Sequence, residues 1–193
     1  MQELKLVWPS RDYLPSYRNA LEQGWSPDNL RGIAAAREQL ARIADDADGF
    51  LASLVDIEAA GSPITLPDGT TVPRLPGYQR WLWDGEFCGS IGFRWQPGTE
   101  ALPPHCLGHI GYSVVPWKQR RGYATRALRE VLRDARASGL RYVEITTSPE
   151  NLASQRVIES NGGIFVEEFV TPKALGSRRS RRYRVHVDWE APP

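Results

Sequence analysis

Pro116 is the residue that most constrains what this chain can fold into. It ends a strand-like run over residues 109–115 whose last members are Val114 and Val115. Proline has no N–H to give to a ladder, so regular strand pairing has to stop there. A basic stretch follows, Lys118, Gln119, Arg120 and Arg121, and then Gly122, Tyr123, Ala124 and Thr125 open an amphipathic segment over residues 123–138 that Gly139 closes. The first N–H groups of a helix lack intrahelical partners and carry partial positive charge, which suits a pyrophosphate. Gly122 removes the side chain where phosphates would approach, small Ala124 does much the same, and Arg120 and Arg121 add charge. The stretch contains neither Gly-Lys-Ser/Thr nor Gly-x-Gly-x-x-Gly, which sets aside a Walker loop and a dinucleotide fold.

Around this loop the second half alternates. A strand over residues 142–147, a short helix over 152–160 and strands over 164–170 and 182–189 follow the first helix. Strand-helix-strand-helix-strand implies an α/β (α+β) domain, a mixed sheet with crossover helices packed on it. The first 60 residues read as helical, with segments over 16–23, stopped by Gly24, and over 33–48, entered through Pro27-Asp28-Asn29. Asp45, Asp46 and Asp48 crowd the end of the second, where the helix dipole disfavours them. Residues 61–77 read as a long loop. Asp84-Gly85 between the aromatic runs 79–83 and 87–95 signals a hairpin, and residues 96–107, with three prolines, form another loop.

A chain of 193 residues is long enough for one domain with a sizeable core. A net charge of +1 gives no reason to expect nucleic acid, and no stretch approaches the roughly 18 apolar residues of a membrane span. Two cysteines, Cys88 and Cys106, make no disulfide framework, and residues 1–9 lack a basic stretch leading into an apolar run, so a cytoplasmic protein is expected. His105-Cys106-x-x-His109 offers three metal ligands at most, too few for a closed zinc site, and no metal is expected.

The segment Gln119-x-x-Gly122-x-Ala124 resembles the acetyl-CoA signature of the Gcn5-related N-acetyltransferases (GNAT). The resemblance covers roughly residues 109–169: a strand ending Val-x-Pro, the loop, a long helix, a strand and an Asn-led helix. It implies a splayed sheet flanked by helices on both faces and a single acetyltransferase domain over 1–193. Within it lie a helical region 1–60, loop and hairpin 61–107, an acetyl-CoA core 108–170 and a final strand 171–193. It implies acetyl-CoA as cosubstrate and an amine-bearing small molecule or peptide as acceptor. The gap beside Val114 and Val115 would take the pantetheine arm as an extra strand, with a backbone N–H near Val114 for the oxyanion. Gln119, Arg120, Arg121, Gly122, Tyr123, Ala124 and Thr125 would hold the pyrophosphate, and Asn151 would contact the pantetheine chain. Many relatives dimerise, so a homodimer is compatible with it.

The sequence departs from the family at Ile158, where many members place a tyrosine that protonates the departing thiolate. Ser154 is the substitute, in the Asn-x-x-Ser arrangement of a branch that acetylates protein N-termini; back-bonding within the helix is its alternative role. A thiol pKa of about 8.5 makes the loss tolerable, whereas a lysine-like amine at about 10.4 costs roughly 4 kcal/mol to deprotonate at neutral pH. His109 is the candidate general base, against a structural histidine, with Glu86, Glu100 and Tyr112 in reserve. Strand alternation sets His109, Gly111 and Ser113 on one face and Ile110, Tyr112 and Val114 on the other. Trp81, Trp83, Phe93 and Trp95 are expected to line an apolar entrance. The arginines at 178, 179, 181, 182 and 184 read as a solvated turn entering a strand, or as contacts to an acidic substrate or CoA phosphate. A CoA-binding sensor without turnover is the alternative function.

Overall fold

The computed structural model describes residues 3–28, 31–66 and 68–187. Two antiparallel sheets meet edge to edge. The first runs β1 (Lys5–Val7), β5 (Gly77–Trp83), β6 (Phe87–Arg94) and β7 (Ile110–Val114), with the short β2 (Val55–Asp56) also on β5. The second runs β8 (Tyr142–Thr147), β10 (Arg179–His186) and β9 (Ile164–Val170). No ladder joins β7 to β8 among the described residues. The sheet is therefore splayed between them, and the crossover helix α4 (Tyr123–Ala137) links the two halves.

Period-two alternation, with a bulge where the pairing passes from Leu82–Gly89 to Trp83–Phe87, sends the two faces of the β5–β6 hairpin to different cores. Tyr78, Leu82, Ile91 and Phe93 pack with Leu128 and Val131 of α4 and with Ile145 and Tyr183. Trp81 and Phe87 face the other way, onto Leu14, Tyr17 and Leu21 of α1 (Leu14–Glu22) and onto Ile43 and Phe50. Tyr17 stacks on Trp81 with ring centroids 4.4 Å apart. The aromatic entrance expected from the sequence is thus mostly core: Trp81 is 0% and Phe93 1% exposed, on opposite faces. Burying side chains of this size contributes roughly 2 kcal/mol each.

Asp46 breaks the helix expected over 33–48. It stands between α2 (Ile33–Asp45) and α3 (Ala47–Ala52) in extended conformation, and its carboxylate accepts the Gly49 N–H at 2.9 Å. The aspartate cluster is thereby explained, because Asp46 caps a new helix and Asp48 lies in its first turn, where the dipole favours it. The loop over 61–77 carries a small hairpin, β3 (Ile64–Thr65) with β4 (Thr71–Val72). Of the arginine run, Arg178 precedes β10 and Arg179, Arg181, Arg182 and Arg184 lie on it, a turn entering a strand. Asn29 and the end of the expected last strand, 188–189, lie outside the described residues. None of the described helices is long and apolar enough to cross a membrane.

Candidate functional site

The strand before Pro116 ends as the sequence requires. Val115 is fully buried in the core beneath the N-terminal helices, and its N–H donates to Cys88 O at 3.0 Å, the last bond before a single 3-10 turn at Pro116–Lys118. Gly89 makes this end of β7 possible. A Cβ there would lie 2.2 Å from Ser113 O and 2.8 Å from Val114 Cα, so only glycine lets β6 approach so closely.

The loop then takes two left-handed residues, Arg120 at φ 61° and Gly122 at φ 74°. Gly122 is the N-cap of α4 and offers no side-chain cap. Among the described residues, none of the backbone N–H groups of residues 120–125 donates to a protein acceptor. Left-handed turns that leave successive N–H groups unpaired at a helix start form a concave anion site. Gln119, Arg120, Arg121 and Gly122 are exposed, while Ala124 and Thr125 are half-buried. Arg121 donates to Trp117 O at 3.4 Å, and Gln119 Nε2 donates to Val114 O at 3.3 Å. Tyr123 contributes through its backbone, since its ring is buried and its hydroxyl donates to Asp84 at 2.6 Å.

Asp84, from the β5–β6 turn, was not singled out as a site residue in the sequence, and it anchors the loop. Its side chain is 4% exposed and takes Lys118 Nζ at 3.0 and 3.1 Å besides the Tyr123 hydroxyl. Burial alone would raise this carboxyl; the Tyr123 and Lys118 bonds outweigh it and hold it at about 2. The signal in the sequence was the Asp-Gly pair, which announced a turn but not its partners.

On the far side of the splay, Asn151 caps α5 (Leu152–Glu159), accepting the Ser154 N–H at 3.0 Å. Ser154 does not bond back into its helix. Its Oγ lies 2.9 Å from the Tyr112 hydroxyl, which also reaches Ser154 O at 3.2 Å. This pair bridges β7 and α5 across the gap. Burial pushes the Tyr112 phenol up to about 12, against the opposing hydrogen bond from Ser154. Ile158, where the resemblance would place a tyrosine, is fully buried in the core. On the opposite face of β7, Ser113 Oγ accepts from Trp25 Nε1 at 3.0 Å, which ties the N-terminal region to the cleft and bears out the alternation expected for this strand.

His109 is 0% exposed at the root of the cleft. Its N–H donates to Glu144 O at 2.7 Å and its Nδ1 accepts the Glu144 N–H at 2.9 Å. Burial lowers its pKa, against the opposing pull of Glu144. Among the reserves, the exposed Glu86 pairs with the buried Lys118, and the half-buried Glu100 pairs with the exposed Arg141. The arginines of β10 are committed to carboxylates: Arg182 and Arg184 each reach Glu144 at 2.8 Å, and Arg179 and Arg181 reach Glu168. Among the described residues, no group of three or more His, Cys, Asp and Glu is placed to hold a metal ion.

Residues 69–164 match the family model of the acetyltransferase (GNAT) domain. No curated protein matches the chain. Several solved structures share its fold. RimL, a ribosomal alpha-N-protein acetyltransferase in complex with coenzyme A, superposes with a TM-score of 0.60 at 14% identity, over 97% of this chain and 96% of that one. The microcin self-immunity acetyltransferase MccE, in complex with acetyl-CoA and AMP, gives 0.59 at 12% identity, over 96% and 93%. A GNAT-family acetyltransferase from Bacillus anthracis gives 0.60 at 15% identity, over 98% of each chain. At these identities the likeness is one of fold.

Proposed function

From the acetyltransferase (GNAT) domain matched over residues 69–164, we propose that this chain is an acetyl-CoA-dependent N-acetyltransferase acting on a primary amine of a small molecule or peptide. The observation that carries the reading is the run of undonated N–H groups at residues 120–125, preceded by a strand that leaves its neighbour. The coenzyme's pyrophosphate sits on those N–H groups with Arg120 and Arg121 beside it. The pantetheine arm enters the gap between β7 and β8 and bonds their free backbone edges. Asn151 contacts that arm while capping α5. RimL and MccE, with coenzyme A and acetyl-CoA bound, support this choice of cosubstrate.

In the transfer, the amine nitrogen attacks the thioester carbonyl, a backbone N–H near Val114 receives the oxyanion, and collapse releases the thiolate. Ser154 gives its proton to sulfur and Tyr112 orients and replenishes it, the role other members give to a tyrosine at the position of Ile158. This arrangement favours the Asn-x-x-Ser branch. His109 has no free lone pair while Glu144 occupies Nδ1, so this reading gives the amine's proton to solvent, through water in the cleft. The chain then works as one cytoplasmic domain.

The test is isothermal titration with acetyl-CoA together with thiol release on a panel of amines, peptides and aminoglycosides. Gly122→Glu places a carboxylate at a left-handed loop position where an added Cβ meets nothing within 4 Å; it repels the pyrophosphate without a clash, and Gly122→Ala, which carries the same backbone strain without the charge, is the control. Binding by wild type that this variant abolishes, with thiol released for some acceptor, is the expected result. Binding without turnover on any acceptor would favour a CoA sensor, and no binding would overturn the reading.

A further inference from the structure

His109 marks the point at which the two sheets part. Its two backbone groups serve different neighbours: the N–H donates to Glu144 O on β8 at 2.7 Å, while the carbonyl accepts the Arg94 N–H on the other side at 2.9 Å. Just before it, Gly108 lies against β8, where a Cβ would come within 3.0 Å of Glu144 O and 3.3 Å of Thr146 N. A parallel ladder is evenly spaced, so one continuing here would give the Glu144 N–H to the carbonyl of Leu107. That carbonyl instead takes the Arg182 guanidinium at 3.3 Å, and the Glu144 N–H goes to His109 Nδ1 at 2.9 Å. An imidazole nitrogen stands in for a main-chain acceptor, and beyond it, among the described residues, β7 pairs only with β6.

We propose that His109 is the positioning residue of the cleft: its side chain satisfies the last β8 donor and ends the pairing at a fixed depth, which keeps the groove open for the pantetheine arm. The inference rests on the acetyl-CoA reading for what fills the groove, but the clamp itself is a property of the chain. A residue without an acceptor here leaves the Glu144 N–H unpaired in a buried place, and the strands relieve that cost by shifting toward one another. With Nδ1 accepting, the neutral ring carries its proton on Nε2, which has no partner among the described residues. The charged groups that bear on the ring are Glu144, Glu100 and Arg94.

Two variants separate positioning from catalysis. His109→Asn keeps an acceptor, Oδ1, close to where Nδ1 stands, and His109→Leu keeps the bulk without one. For each, acetyl-CoA and CoA affinity, KM and kcat across pH, melting temperature and hydrogen exchange at the Glu144 amide are measured. His109→Leu should raise Kd and KM for acetyl-CoA about tenfold or more, with kcat within about threefold of wild type. His109→Asn should restore affinity to within about threefold, and the Glu144 amide should be protected in wild type and Asn but not in Leu. If both variants lose kcat together with a limb of the pH profile, His109 is a base and the proposal fails. It fails equally if Leu loses amide protection and melts earlier yet binds acetyl-CoA as wild type does. Wild type that binds no acetyl-CoA would overturn the function proposed above, while the exchange contrast would still decide the clamp.

Discussion

Lys118 Nζ lies 3.0 Å from Asp84 Oδ1, an ion pair with 10% and 4% of the two side chains exposed, and it fastens the loop before α4 to the β5–β6 turn. The Tyr123 hydroxyl completes the anchor from the first turn of the helix. Lys118 keeps Glu86 as a second partner, so Asp84→Ala leaves the ammonium partly compensated and should cost about 2 kcal/mol and, through the loop, raise KM for acetyl-CoA. The pH dependence has a definite sign. Asp84 is held below its ordinary value, at about 2, so its contribution is complete above pH about 4 and is lost as pH falls from there toward 2. Melting curves across that window should show an acid limb in wild type that is shallower in Asp84→Asn. An identical limb in both would show that other carboxylates govern acid unfolding.

Tyr112 and Ser154 should behave as a unit. Ser154→Ala removes the proposed proton donor, and Tyr112→Phe removes the hydroxyl that lies 2.9 Å from it. General-acid help is worth about a hundredfold or more in full, and a thiolate leaving group needs less of it, so kcat should fall roughly ten- to hundredfold in each. The double variant should be little worse than Ser154→Ala, with KM for acetyl-CoA nearly unchanged, because groups acting through one proton are not additive. Steady-state thiol release reads this directly, and losses that multiply would show two independent roles.

The loop and its flanking elements were legible because they depend on local rules. Pro116 stops a strand, Gly122 supplies a left-handed N-cap, and the spacing of Tyr123, Ala127, Leu128, Val131 and Ala135 buries one face of α4. What was not legible depends on partners far along the chain. His109 carried a suitable pKa in isolation, but its hydrogen bonds go to Glu144, 35 residues away. Asp84 read as half of a turn and proved to be a buried counter-ion. The break at Asp46 was local yet missed, because a helix N-cap and a badly placed aspartate at a helix end look alike until the chain is seen to turn. β1 escaped notice since a three-residue edge strand offers too little periodicity.

Gly89→Ala should be among the most damaging single changes outside the core. Its Cβ would sit 2.2 Å from Ser113 O, a backbone atom that cannot move without carrying Val114 with it. A loss of about 3 kcal/mol or more is expected, seen as a lower denaturant midpoint. Because the shift falls on the strand that edges the cleft, CoA affinity should drop even at temperatures where the variant is fully folded. Normal affinity in the folded variant would show that β6 and β7 separate without disturbing the cleft edge.

The arginines of β10 supply the last prediction. Arg179 and Arg181 share Glu168, Arg182 reaches Glu167 and Glu144, and Arg184 reaches Glu144, so the stripe is neutralised across the strands rather than offered to a partner. Wild type should therefore pass a heparin column at moderate salt without retention. Glu167→Ala with Glu168→Ala frees exposed positive charge on both sheet faces, since successive strand residues alternate, and this variant should elute later, by a margin that shrinks as salt screens it. Its stability should change little, since the pairs on Glu167 and Glu168 are exposed to solvent screening. Glu144 is different: it is 16% exposed and holds two guanidinium groups, so Glu144→Ala should cost about 3 kcal/mol. Strong retention of wild type at moderate salt would mean that the glutamates do not neutralise the stripe, and would return nucleic acid to consideration as a partner.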